Sequence, residues 1–135
     1  MSTSALVLTL FIAWALFLLV LMEGIRSYLV LSGRAKSNEF KPDNSNLSPF
    51  LQRLARAHAN CIESLPVFGG LLLVAMLTSR TGLTDTLAPW LLFARIAQSI
   101  THLVSLSIFA VNARFFFFAV QLTIAVYWTL ALLAR

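Results

Sequence analysis

The sequence predicts an all-α fold, an integral membrane four-helix bundle, and three observations support this prediction. Of the 135 residues, 59% are apolar and only 11% are charged, whereas soluble domains carry about 25% charged residues. The apolar residues form four segments, at about residues 5–31, 49–78, 86–110 and 114–133, and each reaches the ~20 residues that cross a bilayer as a helix. The charged residues lie mostly between these segments. We therefore expect a single transmembrane domain over residues 1–135.

The first apolar segment is predicted to be retained as a membrane span. No basic residue precedes it, and no clear cleavage site of small residues interrupts it. It is also longer than the apolar part of a signal peptide, which has about 7–15 residues. The loop that follows, SGRAKSNEFKPDNSN, is rich in turn-forming residues and separates it from the second segment.

The other two connections are shorter. The stretch SRTGLTDTLAP, with Gly82 and Pro89, predicts a tight turn before the third helix, which Thr84 or Asp85 could cap. Only AVNAR separates the third segment from the fourth. A connection of this length requires the third and fourth helices to be antiparallel neighbours.

The basic residues predict the orientation in the membrane. Six of them flank the first and third connections: Arg34, Lys36, Lys41, Arg53, Arg56 and Arg114. The opposite side has only Arg80 and Arg135. Because cytoplasmic loops are enriched in lysine and arginine, both termini are expected outside the cytoplasm. The net charge of +5 then reflects membrane topology, and we expect no nucleic-acid partner.

The second apolar segment opens with a polar stripe, in the sequence RLARAHANCIESLPVF. Arg53, Arg56, Asn60 and Glu63 are spaced 3, 4 and 3 residues apart, which places them on one face of an α-helix. An ionisable residue inside a membrane helix costs about 2.5–3.5 kcal/mol and usually marks a site or a partner. The alternative is that the arginines lie at headgroup level beneath the loop. The lone Cys61 is read as a small packing residue.

The third segment repeats this spacing with Arg95, Gln98, His102 and Ser105. Since the second and third helices run in opposite directions, an ion pair between Glu63 and Arg95 would bring both stripes into register. That register would place Arg56 level with His102, and Arg114 could join them from the start of the fourth helix. In the first helix, Glu23 and Arg26 are expected to form their own pair.

The charge balance of this set predicts an anion site. Several arginines would face one deep acid, and an excess of buried guanidinium groups requires an anionic ligand. Arginine side chains suit carboxylates, which they bind with two parallel hydrogen bonds. We therefore expect a small anion with several carboxylates, admitted from the cytoplasm, with lipid-facing grooves for an apolar co-substrate. No bound metal is expected.

The segment 53–68 resembles the second-helix signature of the MAPEG family, the membrane-associated proteins in eicosanoid and glutathione metabolism, in the form RxxRAHxNxxExxPxF. Chain length, four spans and a basic first loop agree, so the resemblance covers essentially the whole chain and is to bacterial-type members. It implies a homotrimer in the inner membrane, with glutathione bound between subunits near the cytoplasmic side. Family activities include glutathione S-transferase and peroxidase, leukotriene C synthase and prostaglandin E synthase, and one branch binds lipid without catalysis.

The resemblance also implies roles for individual residues. Arg56, Asn60 and Glu63 match glutathione-site residues, and Arg95 matches the third-helix arginine. Arg34 corresponds to a basic residue at the end of the first helix. Arg114 corresponds to the arginine that stabilises the glutathione thiolate, while Arg53 joins the cofactor-binding set through its place on the stripe.

Three positions depart from the family pattern. Ala59 stands where some members have a second arginine, and Phe115 stands where one branch has a serine near the thiol. His102 occupies the place of a tyrosine that contacts glutathione in many members, and it is expected to bind glutathione in that role. These departures concern thiol activation more than ligand binding.

The sequence thus predicts a glutathione transferase-like protein that conjugates or reduces apolar electrophiles. The first alternative, favoured by His102 and Phe115, is a non-catalytic member that binds lipid or a thiol. The second is a small multidrug exporter, which would need an essential acid in the first helix such as Glu23. An exporter of cations, however, should not line its pocket with arginines.

Overall fold

The computed structural model describes residues 1–134, and four α-helices make up most of them. These are α1 (Thr3–Leu31), α2 (Pro49–Leu77), α3 (Ala88–Val104) and α4 (Ile108–Leu133), with a short 3-10 turn at Thr81–Leu83. No strand occurs in the described part of the chain. Helices α1, α2 and α4 are long and apolar enough to cross a membrane. The predicted all-α membrane fold is therefore confirmed.

Helix α3 is shorter, with 17 residues and a length of about 25 Å. It nevertheless connects one end of the bundle to the other, as the contacts of its neighbours show. Arg80, just after α2, donates hydrogen bonds to the carbonyls of Ala131 and Leu132 at the end of α4. Helices α2 and α4 therefore end on the same side. Because α3 connects them, it must run antiparallel to both, which confirms that α3 and α4 are antiparallel neighbours.

The start of α1 lies at this same end. The Asp85 carboxylate accepts hydrogen bonds from the Ser4 backbone N–H, at 2.8 Å, and from the Ser4 hydroxyl, at 2.6 Å. A carboxylate that lies against the start of a helix is stabilised by the N–H groups of the first turn, which have no partner within the helix. The expectation that Thr84 or Asp85 caps α3 was wrong, because the residue before α3 is Leu87, which makes no side-chain cap.

The boundary between α3 and α4 also differs from the prediction. Helix α3 ends at Val104 and α4 begins at Ile108, so the predicted connection AVNAR lies inside α4. Ser107 sets this start, since its hydroxyl accepts a hydrogen bond from the Ala110 N–H at 3.2 Å. Serine is a preferred N-cap, and AVNAR contains no glycine or proline to interrupt a helix. Arg114 is consequently in the second turn of α4 and not at its start.

The core is formed by apolar side chains from all four helices. Phe11, Leu54, Leu72, Leu91 and Trp128 are fully buried. Helices α1 and α2 approach closely at Gly69, where an added Cβ would lie 3.0 Å from Leu8 Cδ1. The outer faces remain apolar, as expected where a bundle meets lipid; exposed residues there include Leu16, Val20, Phe115, Phe116 and Leu130.

Candidate functional site: an arginine-lined pocket and an adjoining groove

A pocket rich in arginine lies at the end of the bundle opposite the start of α1 and the end of α4. Its volume is about 390 Å³, within the range of about 300–1,000 Å³ that is typical of ligand sites. We call this cavity the basic pocket; it is lined by Asp43, Ser45, Pro49, Gln52, Arg53, Arg56, His102, Leu106 and Arg114. The structure thus brings together four residues that the sequence selected: Arg53, Arg56, His102 and Arg114.

The arginines of the basic pocket differ in their partners. Arg53 Nε donates a hydrogen bond to the Leu103 carbonyl at 3.0 Å, in the last turn of α3. Arg56 and Arg114 make no side-chain hydrogen bond or salt bridge within residues 1–134; the single salt bridge there joins Arg26 to Glu23. Two guanidinium groups are therefore available to an anion, and a third is partly engaged.

One carboxylate, Asp43, also lines the basic pocket. The Ser45 backbone N–H donates to it at 3.0 Å, and this hydrogen bond holds the pKa of the Asp43 carboxyl below its ordinary value of 3.8. Asp43 is thus ionised at neutral pH. With three arginines around it, the pocket keeps a net positive charge, which favours an anionic ligand.

The loop between α1 and α2, which carries Asp43, is fastened to the bundle by Asn44. This side chain is fully buried, with φ at 55°, and its amide donates to the Leu51 carbonyl at 2.7 Å. Arg26 Nε donates to Asn44 Oδ1 at 3.1 Å. The predicted pair of Arg26 with Glu23 is confirmed at 3.0 Å, but sequence reasoning missed that Arg26 also holds this loop.

The predicted ion pair between Glu63 and Arg95 was wrong. Arg95 is buried, with 1% exposure, and its Nη1 donates to Asn60 Oδ1 at 2.8 Å. Glu63 is exposed and has no salt bridge within residues 1–134. The spacing correctly placed Asn60 and Glu63 near one face of α2, but the rotation of α2 against α3 presents Asn60, and not Glu63, to Arg95.

A separate cavity of about 220 Å³ lies further along α2, beginning at Asn60. We call it the groove; it is lined by Asn60, Glu63, Ser64, Val67, Phe68, Phe118 and Leu122. Since Arg56 and Asn60 are four residues apart on α2, they lie on neighbouring turns of one face. That face of α2 therefore contributes Arg56 to the basic pocket and Asn60 to the mainly apolar groove.

Arg34 lies outside both the basic pocket and the groove. It follows α1 in the exposed part of the loop, where its guanidinium is 5.8 Å from the centre of the Tyr28 ring. Its assignment to the site stays a prediction. Cys61 is fully buried, as a packing residue should be.

Sequence reasoning missed two polar residues near the site. Asp43 lies in the turn-forming part of the first loop, where no periodicity marks a functional side chain. Gln121 is fully buried and donates to Gln98 Oε1 at 2.9 Å. A single amide in the otherwise apolar segment around Gln121 is a usable signal, because polar side chains in membrane helices face the interior of the bundle.

The chain is thus a helical membrane protein, a four-helix bundle with an arginine-lined pocket of ligand size and a separate, mainly apolar groove on the same helix α2. The sequence model of the MAPEG family matches residues 4–134, so the match covers almost the whole chain. The protein is therefore a member of the MAPEG family, which is a family of membrane proteins of the glutathione-transferase type. No curated protein and no solved structure matches the chain significantly.

Proposed function

We propose that this protein is a membrane-bound glutathione transferase-like enzyme that conjugates or reduces apolar electrophiles with glutathione. The observation that carries the proposal is the convergence of Arg53, Arg56 and Arg114 on one pocket in a chain that belongs to the MAPEG family. Glutathione carries two carboxylates and a thiol, so it has acceptors for guanidinium groups from separate helices. Paired arginine–carboxylate hydrogen bonds would hold it in a fixed orientation.

In this proposal Arg114 acts on the thiol. A nearby guanidinium lowers a thiol pKa from about 8.5 toward neutrality and makes the nucleophilic thiolate available. Arg114 makes no side-chain hydrogen bond or salt bridge within residues 1–134, which supports a role toward a ligand. His102, in the same pocket, contributes a hydrogen bond to glutathione and takes no part in proton transfer.

The apolar electrophile would enter along the groove, to which α4 contributes Phe118 and Leu122. Asn60 and Glu63 line the same groove, and both belong to the proposed glutathione site. Glu63 is exposed in the single subunit, which agrees with a site completed by a neighbouring subunit. We therefore include a homotrimer in the inner membrane, with both termini outside the cytoplasm, in the proposal.

The direct test is turnover of 1-chloro-2,4-dinitrobenzene by the purified protein in detergent. Glutathione-dependent product formation that is lost in Arg114→Ala supports the proposal. Lys36→Ala is the matched control, because it removes a basic side chain from the loop between α1 and α2 that does not line the basic pocket. The activity of this variant should equal that of the wild type. No turnover by the wild type, with no binding of glutathione, would refute the proposal.

The non-catalytic alternative rests on a specific observation. Phe115, next to Arg114, is 73% exposed and supplies no hydroxyl near the thiol. Saturable binding of glutathione or lipid without turnover would favour this alternative. The exporter alternative is dropped, because the chain belongs to the MAPEG family and Glu23 is engaged by Arg26.

A further inference from the structure

Arg95 is a buried cation with a single side-chain partner. Its side chain is 1% exposed, and its Nη1 donates to Asn60 Oδ1 at 2.8 Å. The other two guanidinium nitrogens, Nε and Nη2, have no hydrogen-bond partner within residues 1–134. The rings of Phe11 and Phe68 lie 5.8 and 6.0 Å from the guanidinium carbon and provide a cation–π environment.

This contact fixes the orientation of the Asn60 amide. A guanidinium group can only donate hydrogen bonds, whereas a carboxamide has an accepting oxygen on one side and a donating NH2 group on the other. Asn60 must therefore present its oxygen to Arg95. If the amide turned over, two donors would face each other and the hydrogen bond would be lost.

The opposite side of the amide is free to donate. The Asn60 Nδ2 group makes no hydrogen bond within residues 1–134, and Asn60 lines the groove beside the basic pocket. Gln121 donates to Gln98, and neither of these side chains hydrogen-bonds to Arg95 within residues 1–134. Asn60 thus offers a donor to an acceptor oxygen in the groove.

We propose that Arg95 is a positioning residue, which does not touch the ligand itself but holds Asn60 as a hydrogen-bond donor to a carbonyl or carboxylate oxygen of glutathione. The identity of the ligand rests on the proposed function. Arg95 lines neither the basic pocket nor the groove, which agrees with an action through Asn60. The alternative is that Arg95 binds the ligand directly.

A double-mutant cycle distinguishes these roles. The dissociation constant of glutathione is measured by calorimetry for the detergent-purified full chain and for Arg95→Met, Asn60→Ala and the double variant. Losing one hydrogen bond to the ligand should weaken binding about tenfold in each single variant. Because Arg95 acts through Asn60, the double variant should be no weaker than Asn60→Ala. Single effects that multiply to about a hundredfold would overturn the proposal.

Melting temperatures separate positioning from a general loss of structure. A buried charge without a counter-charge is costly, so Arg95→Met should melt no lower than the wild type while binding glutathione more weakly. Ser99→Ala is the control, since Ser99 contacts the Arg95 backbone carbonyl and not Asn60; its binding should be unchanged. If Arg95→Met does not fold, Arg95→Lys, which keeps a donor, should retain most of the binding, and complete loss of binding in this folded variant would contradict positioning.

A measurement without ligand keeps this inference independent of the proposed function. The side-chain amide of Asn60 is observed by NMR with 15N-asparagine, assigned from its absence in Asn60→Ala. In Arg95→Met its resonances should shift or broaden as the amide becomes free to rotate. Unchanged resonances would refute positioning, even if glutathione binds. If glutathione does not bind to the wild type, the proposed function fails, and the NMR result still decides the role of Arg95.

Discussion

Arg53 Nε donates a hydrogen bond to the backbone carbonyl of Leu103 at 3.0 Å. This contact ties the second turn of α2 to the last turn of α3, where the helix leaves its final carbonyl groups without intrahelical partners. A positive charge at that end of a helix is also favourable. Arg53 therefore supports the wall of the basic pocket that it lines, whereas Arg56 is exposed and supports no backbone group within residues 1–134.

The first prediction follows from this difference. Arg53→Ala should lower the free energy of unfolding by about 1–2 kcal/mol, because it removes a charged hydrogen bond and a favourable charge at the end of α3. Arg56→Ala should change it by less than about 0.5 kcal/mol, although both variants should weaken glutathione binding. Thermal unfolding and calorimetry on the same samples measure the two effects. Equal stability of both variants would show that the Arg53 contact is not significant.

The second prediction concerns Glu63. An acid paired with a buried arginine would cost about 3–5 kcal/mol when removed, but Glu63 is exposed and Arg95 is held by Asn60. Glu63→Gln should therefore change the stability of the subunit by less than about 0.5 kcal/mol. Denaturation in detergent, with Glu39→Gln in the exposed loop as control, measures this. A loss of stability above about 3 kcal/mol would instead support an ion pair between Glu63 and Arg95.

The third prediction assigns the thiol chemistry to Arg114 and not to His102. Arg114→Ala should raise the pKa of the bound glutathione thiol back toward about 8.5, seen as a lower ultraviolet thiolate absorbance per bound ligand. His102→Phe should weaken binding but keep that absorbance for each bound molecule. The opposite pattern, with the thiolate lost only in His102→Phe, would exchange the two roles.

The fourth prediction is a pH dependence of the first loop. The backbone N–H of Ser45 holds the pKa of Asp43 below 3.8, so the ionised carboxylate stabilises the folded loop. This stabilisation is present above pH 3.8 and is lost as the pH falls through the lower pKa of the folded state. NMR titration of the Asp43 carboxyl should show a midpoint below 3.8, and Asp43→Asn should remove the pH dependence. A midpoint at or above this value would contradict it.

The fifth prediction is topological. The structure places the start of α1 and the ends of α2 and α4 together, and the basic residues are concentrated at the other end. A cysteine at Ser2 should react with a membrane-impermeant maleimide in intact cells, and one at Ser45 should not. Cys61 is fully buried, so the parent chain should stay unlabelled. Labelling of the cysteine at position 45 alone would show that the protein has the opposite orientation in the membrane.

The sequence was sufficient for features that depend on one helix at a time. Apolar segments long enough to cross a bilayer predicted four helices, and i, i+3, i+4 and i+7 spacing predicted the polar face of α2. Charge alone then predicted an anion site, and Arg53, Arg56, His102 and Arg114 do line one pocket. The helices and their shared faces were predicted correctly because the period of a helix is fixed by its backbone geometry. The anion site itself stays a prediction.

What only the tertiary structure decided is how the helices meet. Arg95 contacts Asn60 and not Glu63. Asp85 accepts hydrogen bonds from Ser4 in the first turn of α1 and does not cap α3. The start of α4 depended on Ser107, a short-range cap that the apolar pattern of the segment conceals. Spacing fixes which residues share a face of one helix, but the axial shift and rotation between two helices are set by side-chain packing. Because each residue along a helix turns its side chain by about 100°, a small rotation of α2 against α3 is enough to give a buried arginine a different partner.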